Sequence, residues 1–434
     1  MNIEEDKLEL IKDKLELIKD NLAEIIGEKE LIEKLKLDKP LKVYWGTSPT
    51  GIPHIGYLLP LIKIAQLVKA KCEVTILFAD LHAYLDAMKT TWDLLEFRTQ
   101  YYELVIKSVL IELGVDLEKI KFVKGSDYQL NKEYTIDVYK FMSKITIDSA
   151  QKGGAEVVKQ TDNPTLSGLV YPLLQVLDEV YLNADAELGG QDQRKIFMLS
   201  RDHIHKIGYS PSIHLMNPMI PSITSKISNN FLNNTLDVQE QEPEQEQEPD
   251  PDPDQYTNIM PEQIDKYIEQ INKLKTKKIS WDNFVKITNK TALDLKEKNV
   301  KKQKNTNKMS SSDSNSKIEF TESEESIRKK ISKAYAEPIK TTNTLFLFLQ
   351  YVIFPVNKLK SIDDFVINRD DKYGGSIKYI LLDDVKCDYQ INKLTPQDLK
   401  QGISDWLVNF LSPIRNSFDK NKNIQELISK AYPK

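Results

Sequence analysis

Residues 49–60, PTGIPHIGYLLP, combine prolines, two glycines and a histidine between a short apolar segment and an apolar helical run. This pattern predicts a strand that turns through glycine and enters a helix at His54 and Gly56. The first N–H groups of a helix have no acceptor within it, and the helix dipole adds positive potential, so such a turn suits a phosphate group. The same residues also fit an ordinary βα turn with a surface histidine, and taken alone they favour that simpler interpretation.

A second stretch, NKMSSSDSNSKIEF at residues 307–320, places Lys308 before a run of serines that includes Ser310 and Ser311. A lysine charge and several hydroxyl donors in one polar loop can surround phosphate oxygens. Serine-rich loops are usually only solvated, so this loop alone is weak evidence. Together with the turn at His54, it indicates one fixed and one mobile phosphate-binding element. Such a pair suits an enzyme that activates a substrate with ATP and releases pyrophosphate.

A third stretch, LSGLVYPLLQVLDEVYL at residues 166–182, carries Tyr171, Gln175 and Asp178 at positions i, i+4 and i+7. On an ideal helix these three lie within about 60° of one another, so they share one face. The face could be a solvated polar stripe, but the neighbouring positions are apolar and predict a largely buried helix. A buried carboxylate without a partner costs several kcal/mol, so Asp178 needs a donor, and a ligand hydroxyl could supply it.

The stretch GGQDQRK at residues 189–195 follows this helix. Its double glycine allows the backbone to approach a ligand closely, and the Gln193 amide can bind an amino group or a ribose. A plain turn between a strand and a helix is the alternative interpretation.

The elements that position these residues alternate along residues 41–222. Short apolar strands are predicted at LKVYWG, CEVTILFAD and IKFVKGSDY, and amphipathic helices at YLLPLIKIAQLVKA and WDLLEFRTQYYELVIKSVLIELG. This alternation is typical of a doubly wound α/β domain with its ligand site at the carboxyl ends of parallel strands. The turn at His54 follows the first strand, where a ligand is expected.

The organisation of the whole chain predicts five segments: an N-terminal helical segment (1–40), a catalytic α/β domain (41–223), an insertion (224–307), the lysine loop with its connection (308–330) and a helical C-terminal domain (331–434). The first contains a tandem DKLELIK repeat, which predicts an amphipathic helix. The insertion contains an acidic tract that is too polar to fold alone, and a helical hairpin is predicted after it.

Composition limits the class of protein. The chain has 434 residues and two cysteines, which exclude a disulfide framework and a clustered thiolate metal site and favour a cytoplasmic location. No stretch reaches the roughly 20 apolar residues that span a bilayer, so no membrane association is expected. The net charge of −5 includes eight acidic residues within Gln239–Asp254, and the remainder is slightly basic. The acidity therefore does not argue against an RNA partner.

These motifs, in this order, resemble the tyrosyl-tRNA synthetases of archaeal and eukaryotic type, which are class I aminoacyl-tRNA synthetases. The resemblance covers residues 7–433 apart from the insertion and rests on VYWGTSPTGIPHIGY, VTILFADLHAYLD, GAEVVKQ, LDEVYL, GGQDQRKIF, HLMNPM and KMSSS. It implies a Rossmann-type catalytic domain and an all-α anticodon-binding domain. It also implies activation of tyrosine by ATP with Mg²⁺, transfer to tRNA, and no dedicated metal site in the protein.

The resemblance also implies roles for single residues. Tyr44 and Asp178 would hold the phenolic hydroxyl of tyrosine, and Tyr171, Gln175 and Gln193 its α-amino group. The residues expected at ATP are Gly46, His54, Gly56, Lys308, Ser310 and Ser311.

The C-terminal segment would read the anticodon by the same resemblance. Tyr373 stands where the family has an aromatic residue that stacks on an anticodon base, and Asp398 where an aspartate pairs with that base. Thr395 stands where a histidine is common, and Tyr373 could instead be an ordinary packed aromatic. Members of this type are homodimers whose tRNA bridges the two subunits, although the sequence itself does not show the interface.

Three alternatives remain open from the sequence. Lys226, in TSKIS at residues 224–228, partly matches the pattern of the lysine loop. It directly follows the predicted catalytic domain, whereas Lys308 comes after the insertion, so Lys226 could be the functional lysine instead. The architecture is also shared with tryptophan-activating enzymes, and a catalytically inactive tRNA-binding or regulatory protein is a further possibility. The carboxylate directed at a hydroxyl favours tyrosine.

Overall fold

A six-stranded sheet forms the centre of the N-terminal half, in a computed structural model that describes residues 3–37, 39–86, 89–158, 165–222 and 317–433. Its strands are β1 Glu24–Ile26, β2 Lys42–Thr47, β3 Glu73–Phe78, β4 Ile120–Lys124, β5 Ala186–Gly190 and β6 Ile213–Asn217. They lie in the order β1-β6-β5-β2-β3-β4, and all neighbours are parallel except β1 and β6. The predicted doubly wound sheet is confirmed, and its strand order reverses between β2 and β5, where such sheets bind ligands.

Helices cover both faces of this sheet: α1 Ile3–Lys19, α2 Glu28–Lys36, α3 Leu58–Lys69, α4 Asp80–Leu85, α5 Leu95–Glu112, α6 Lys132–Met142, α7 Ile147–Gly154, α8 Leu166–Tyr181 and α9 Arg194–His203. The predictions of an N-terminal amphipathic helix and of α3 and α5 are confirmed. Strand β1 was not predicted, because three residues are too few to show an alternating pattern.

Strand β2 shows how the sheet separates its two faces. Val43 and Trp45 pack into the main apolar core, whereas Tyr44 lies in a separate small cluster with Leu77 and Ala79. Successive side chains of a strand point to opposite faces, so this division follows from the pleat. Tyr44 is therefore buried on the face opposite the main core.

The C-terminal part is mainly helical: α10 Glu324–Ser332, α11 Thr344–Phe348, α12 Phe354–Lys360, α13 Leu382–Gln390, α14 Pro396–Asp419 and α15 Lys422–Ala431. A π-helical turn, Leu349–Ile353, joins α11 to α12, so the long apolar stretch at 345–356 forms buried helix. Two short antiparallel strands, β7 Phe365–Ile367 and β8 Ile377–Tyr379, were missed by the all-α prediction. Gly374 and Gly375 lie between them with φ of +93° and +70°, a conformation that favours glycine.

The main apolar core is continuous between the two parts of the fold. It includes Leu67 of α3 and Ile106 of α5 together with Val356 of α12 and Leu411 of α14. The boundaries of the five predicted segments remain predictions. Among the helices in the described ranges, none is both long and apolar enough to cross a membrane.

Candidate active site

Helix α8 and strand β2 bring four of the predicted site residues together. The Tyr44 hydroxyl of β2 donates to the carbonyl oxygen of Gln175 on α8 at 3.3 Å. The Tyr171 and Ser48 hydroxyl oxygens lie 3.4 Å apart. Asp178 follows Gln175 by three residues on the same helix, so its side chain lies on the same side of α8. These contacts lie at the carboxyl end of β2, beside the point where the strand order reverses.

Asp178 is buried and is held by three side chains of the protein itself. Only 1% of the residue is exposed. Its Oδ1 accepts from the Tyr128 hydroxyl at 2.7 Å, from Gln129 Nε2 at 2.7 Å and from the Tyr134 hydroxyl at 2.9 Å. The donor that the sequence requires for this carboxylate is thus supplied from within the fold. A ligand hydroxyl would be a further donor to a carboxylate that is already fixed.

Burial is also the main influence on the charge of Asp178. It raises the pKa of this carboxyl to about 7, although the three donors act in the opposite direction. His82 Nε2 lies 3.7 Å from Asp178 Oδ2, but burial lowers the pKa of His82 to about 3. The imidazole is therefore neutral, and the two groups form no ion pair. The His82 ring packs edge-on against Tyr171, with ring centroids 4.7 Å apart.

A row of buried polar residues crosses three neighbouring strands. Glu187 of β5 is paired in register with Tyr44 of β2 and with His214 of β6, so the three side chains share a face. Glu187 Oε1 accepts from Gln175 Nε2 at 2.8 Å. Burial, and then the charge of Glu179, raise the pKa of Glu187 well above its usual value, which favours its protonated form.

Within the part of the chain that the structure describes, one group has the spacing of metal ligands: Glu179, Glu187 and His214, whose candidate ligand atoms lie within 4.8 Å of one another. Glu179 already accepts from the Ser200 hydroxyl at 2.9 Å and the Ser212 N–H at 3.2 Å, and lies 3.1 Å from His214 Nε2. These hydrogen bonds account for the cluster as a network behind Gln175. The expectation of no dedicated metal site stays a prediction.

The turn between β2 and α3, residues 48–57, holds two of the predicted ATP residues, His54 and Gly56, and a third, Gly46, lies just before it on β2. His54 is buried, and its Nδ1 accepts from the Gly56 N–H at 3.2 Å. The Gly56 N–H, which has no acceptor within the helix, is thus engaged by the side chain of the preceding histidine. A Cβ placed on Gly46 would meet the Leu77 and Tyr44 side chains at ordinary contact distances of 3.7 and 3.8 Å. Packing inside the protein thus does not require glycine there.

Close packing requires glycine at position 189, the first residue of the double glycine after α8. A Cβ on Gly189 would lie 2.6 Å from Phe197 Cζ and 3.0 Å from Gln193 Cγ. Only glycine allows the short turn Gln191–Gln193 and the start of α9 to fold back against β5. Gln193 is thereby placed at the carboxyl end of β5, adjacent to the reversal point.

Lys308, Ser310, Ser311 and the alternative Lys226 lie outside the described residues. The chain that follows the lysine loop is described, and it pairs with the β2–α3 turn. The Ile55 N–H donates to the Ile318 carbonyl oxygen at 2.8 Å, and His54 and Glu319 form an antiparallel bridge. The downstream end of the loop is therefore attached beside His54.

The two predicted anticodon residues have different environments. Tyr373 is 65% exposed at the end of a short turn, so it is not an ordinary packed aromatic. Asp398 accepts from the Thr395 N–H at 3.0 Å, and its own N–H donates to the Thr395 hydroxyl at 3.2 Å. This reciprocal capping box begins α14. Asp398 thus has a structural role that the sequence interpretation did not include.

Sequence reasoning missed several residues of the site. Tyr128 and Gln129 follow β4 directly, and their position at the carboxyl end of a parallel strand was a usable signal. Tyr134 on α6 and Glu187 on β5 gave no comparable signal, because only the packing of α6 against α8 and the strand register bring them to the site. His82 lies within a motif that supported the family resemblance, but no role was assigned to it.

Comparisons with known proteins agree with this geometry. The family model described as class I tRNA synthetases (W and Y) matches residues 36–246 and 253–412. A cytoplasmic tyrosine–tRNA ligase of Danio rerio is 40% identical over 413 residues, which are 95% of this chain and 61% of the relative. One from Saccharomyces cerevisiae is 37% identical over 417 residues, 95% of this chain and 86% of the relative. The chain thus spans about three fifths of the longer, vertebrate relative.

A solved structure of similar fold is the tyrosyl-tRNA synthetase of Archaeoglobus fulgidus in complex with L-tyrosine. Its TM-score is 0.67 at 26% sequence identity, and the match covers 94% of this chain and 99% of that chain.

The raised pKa of Asp178 predicts how stability depends on pH. Between its unfolded pKa near 3.8 and its folded pKa of about 7, the native state holds a proton that the unfolded state has released. This contribution to stability is therefore lost as the pH rises through 7. Asp178→Asn keeps an acceptor but does not titrate. We expect the unfolding free energy of the wild type to fall relative to this variant between pH 4 and 8, by up to roughly 4 kcal/mol.

Urea unfolding across this pH range measures the difference. Asp148→Asn on α7, where the carboxylate is exposed, is the control and should show a nearly constant difference. A constant difference for Asp178→Asn as well would contradict the buried, raised-pKa carboxyl.

Proposed function

Because the chain belongs to the class I tRNA synthetases for tryptophan and tyrosine, we propose that it is a tyrosine–tRNA ligase. It would activate L-tyrosine with ATP to tyrosyl-adenylate and transfer the tyrosyl group to tRNA. The observation that carries the proposal is the buried Asp178 carboxylate, fixed by three donors beside the Tyr44 hydroxyl. The names of the relatives support the same reaction.

Recognition of the substrate follows from the polar groups on α8 and β2. The phenol of tyrosine would donate to Asp178 and accept from Tyr44, whose present 3.3 Å bond to a backbone carbonyl is long and easily exchanged. Phenylalanine has no hydroxyl and forms neither of these hydrogen bonds, so it binds less tightly than tyrosine. Tyr171, Gln175 and Gln193 would hold the α-amino group at the open side of the pocket.

Glu187 orients the side chain of Gln175. Its carboxyl accepts from the Gln175 amide nitrogen, so the amide oxygen of Gln175 is directed away from Glu187. An ammonium group needs acceptors, and an amide oxygen and a tyrosine hydroxyl are suitable ones. The raised pKa of Glu187 also favours its neutral form, which limits the negative charge in the buried region near Asp178.

Activation needs no covalent nucleophile on the protein. The tyrosine carboxylate attacks the α-phosphorus of ATP, and the bond to the pyrophosphate leaving group breaks. The protein acts by positioning the two substrates and by stabilising charge on the phosphates. We assign this to Gly46 of β2, to His54 and Gly56 of the fixed turn and to Lys308, Ser310 and Ser311 of the loop, with Mg²⁺ bound to the phosphates of ATP. The terminal ribose hydroxyl of tRNA then takes the tyrosyl group from the adenylate.

We further assign tRNA binding to the C-terminal part, a homodimer to the assembly, and the cytoplasm to the location, as the names of the relatives suggest for the last. The exposed ring of Tyr373 supports stacking on an anticodon base. Asp398 can cap α14 with one oxygen and offer the other to that base. Large apolar side chains are exposed around α6 and α7, including Leu130, Tyr139 and Ile147, and a second subunit would cover such a surface.

Pyrophosphate exchange tests the substrate. With ATP and Mg²⁺, we expect exchange that depends on tyrosine and not on tryptophan or phenylalanine. Asp178→Asn should lower kcat/KM for tyrosine by about 100-fold, because a charge-assisted hydrogen bond to the phenol is weakened. Exchange with tryptophan alone would assign the other amino acid. Binding of tRNA without any exchange would identify an inactive, regulatory protein and overturn the proposal.

A pair of lysine variants tests which loop serves ATP. We expect Lys308→Ala to reduce exchange by about 100-fold, since a cation that stabilises the phosphates is lost, and Lys226→Ala to leave it nearly unchanged. Each variant is the control for the other. The opposite result would move the catalytic lysine to position 226.

A further inference from the structure

The end of the last helix lies against the β2–α3 turn. The Tyr432 hydroxyl, one residue beyond α15, donates to the Gly51 carbonyl oxygen at 3.1 Å. The same oxygen accepts from the Tyr102 hydroxyl of α5 at 2.5 Å, so both of its lone pairs are engaged. Because a trans peptide is planar, fixing this carbonyl also fixes the Ile52 N–H, which points to the opposite side of the turn.

Arg98 of α5 connects the same helix end to a second carbonyl of the turn. Its Nε donates to the Ala431 carbonyl oxygen at 3.0 Å, and its Nη1 donates to the Thr90 hydroxyl at 2.9 Å. The Thr90 hydroxyl in turn donates to the Pro49 carbonyl oxygen at 3.1 Å. Two carbonyls of the turn, at residues 49 and 51, are thus tied to the last residues of the C-terminal part.

The Tyr432 ring itself is held firmly. The Arg98 guanidinium carbon lies 5.0 Å from the ring centroid, and the Tyr101 ring packs edge-on with centroids 5.7 Å apart. Burial raises the pKa of Tyr432 far above its usual value, so the hydroxyl keeps its proton and remains a donor at any physiological pH. This donor is therefore a permanent part of the contact.

We propose that Tyr432 is a positioning residue for ATP: it holds the Gly51 peptide in the orientation in which the β2–α3 turn receives the nucleotide. The inference rests on the proposed function, which assigns ATP contacts to His54 and Gly56 of that turn. The tyrosine pocket is built on α8 and on the opposite face of β2, where Tyr44 lies. Among the described residues of the turn, only Ser48, at its start, lies against a residue of that pocket, Tyr171, so Tyr432 should affect ATP more than tyrosine.

The test removes one hydroxyl. Tyr432→Phe should raise KM for ATP in pyrophosphate exchange by about fivefold, the loss expected for one hydrogen bond, with KM for tyrosine within about twofold of the wild type. The matched control is Tyr389→Phe, since the Tyr389 hydroxyl also donates to a backbone carbonyl of the C-terminal part, that of Glu337 at 2.8 Å. This control should leave both KM values within about twofold.

An unchanged KM for ATP in a Tyr432→Phe protein with a normal thermal transition would overturn the proposal, as would an equal rise in both KM values. If Tyr432→Phe does not fold, Thr90→Val gives the same test, because it breaks the link at Pro49 and leaves α15 intact. Failure of the proposed function is distinguishable, since then the wild type shows no exchange with tyrosine. Equilibrium titration of wild type and variant with ATP still measures the positioning effect in that case, and equal affinities reject it.

Discussion

One carboxylate oxygen, Asp178 Oδ1, accepts hydrogen bonds from side chains that come from different parts of the fold. Tyr128 and Gln129 follow β4, Tyr134 belongs to α6, and the acceptor is on α8. A buried carboxylate without donors costs several kcal/mol, so α6, α8 and the end of β4 are stabilised in this one relative arrangement. The rotation of α8 that buries Asp178 also places Tyr171 and Gln175 on the same side, because the three share a helix face.

Three buried acidic residues lie at or behind the proposed tyrosine pocket, and each is stabilised in a different way. Asp178, Glu179 and Glu187 are all buried, and three negative charges so close together would repel one another strongly. Glu179 is paired with two donors and His214, Asp178 has three donors and a pKa of about 7, and the pKa of Glu187 is raised well above its usual value. The strand register, which aligns Tyr44, Glu187 and His214, therefore affects the pKa values as well as the positions of the site residues.

Local periodicity predicted the parts of the site that lie within one element. The helical spacing of Tyr171, Gln175 and Asp178 and the order of strands and helices were sufficient for α8 and for the doubly wound sheet. The donors to Asp178 could not be predicted in the same way, because they meet it only through tertiary packing. Strands β1, β7 and β8 have three residues each, too few for a pattern.

Two sets of residues that cap helices were interpreted from the sequence only as ligand-binding residues. Thr395 and Asp398 have the spacing of a capping box before a helix, and the structure shows that they form one. His54, expected at ATP, also caps its own turn through the Gly56 N–H. In both cases a polar side chain forms a hydrogen bond with a nearby backbone N–H group. A sequence motif for ligand binding does not reveal this structural role.

Proton release on tyrosine binding tests the central claim about Asp178 most directly. Calorimetric titration of the wild type with L-tyrosine in buffers of different ionisation enthalpy counts the protons exchanged. If the phenol donates to a carboxyl with a pKa of about 7, binding favours the ionised form and releases about half a proton at pH 7 and almost none at pH 8.5. The same proton count at both pH values would show that the Asp178 carboxyl does not receive the substrate hydroxyl.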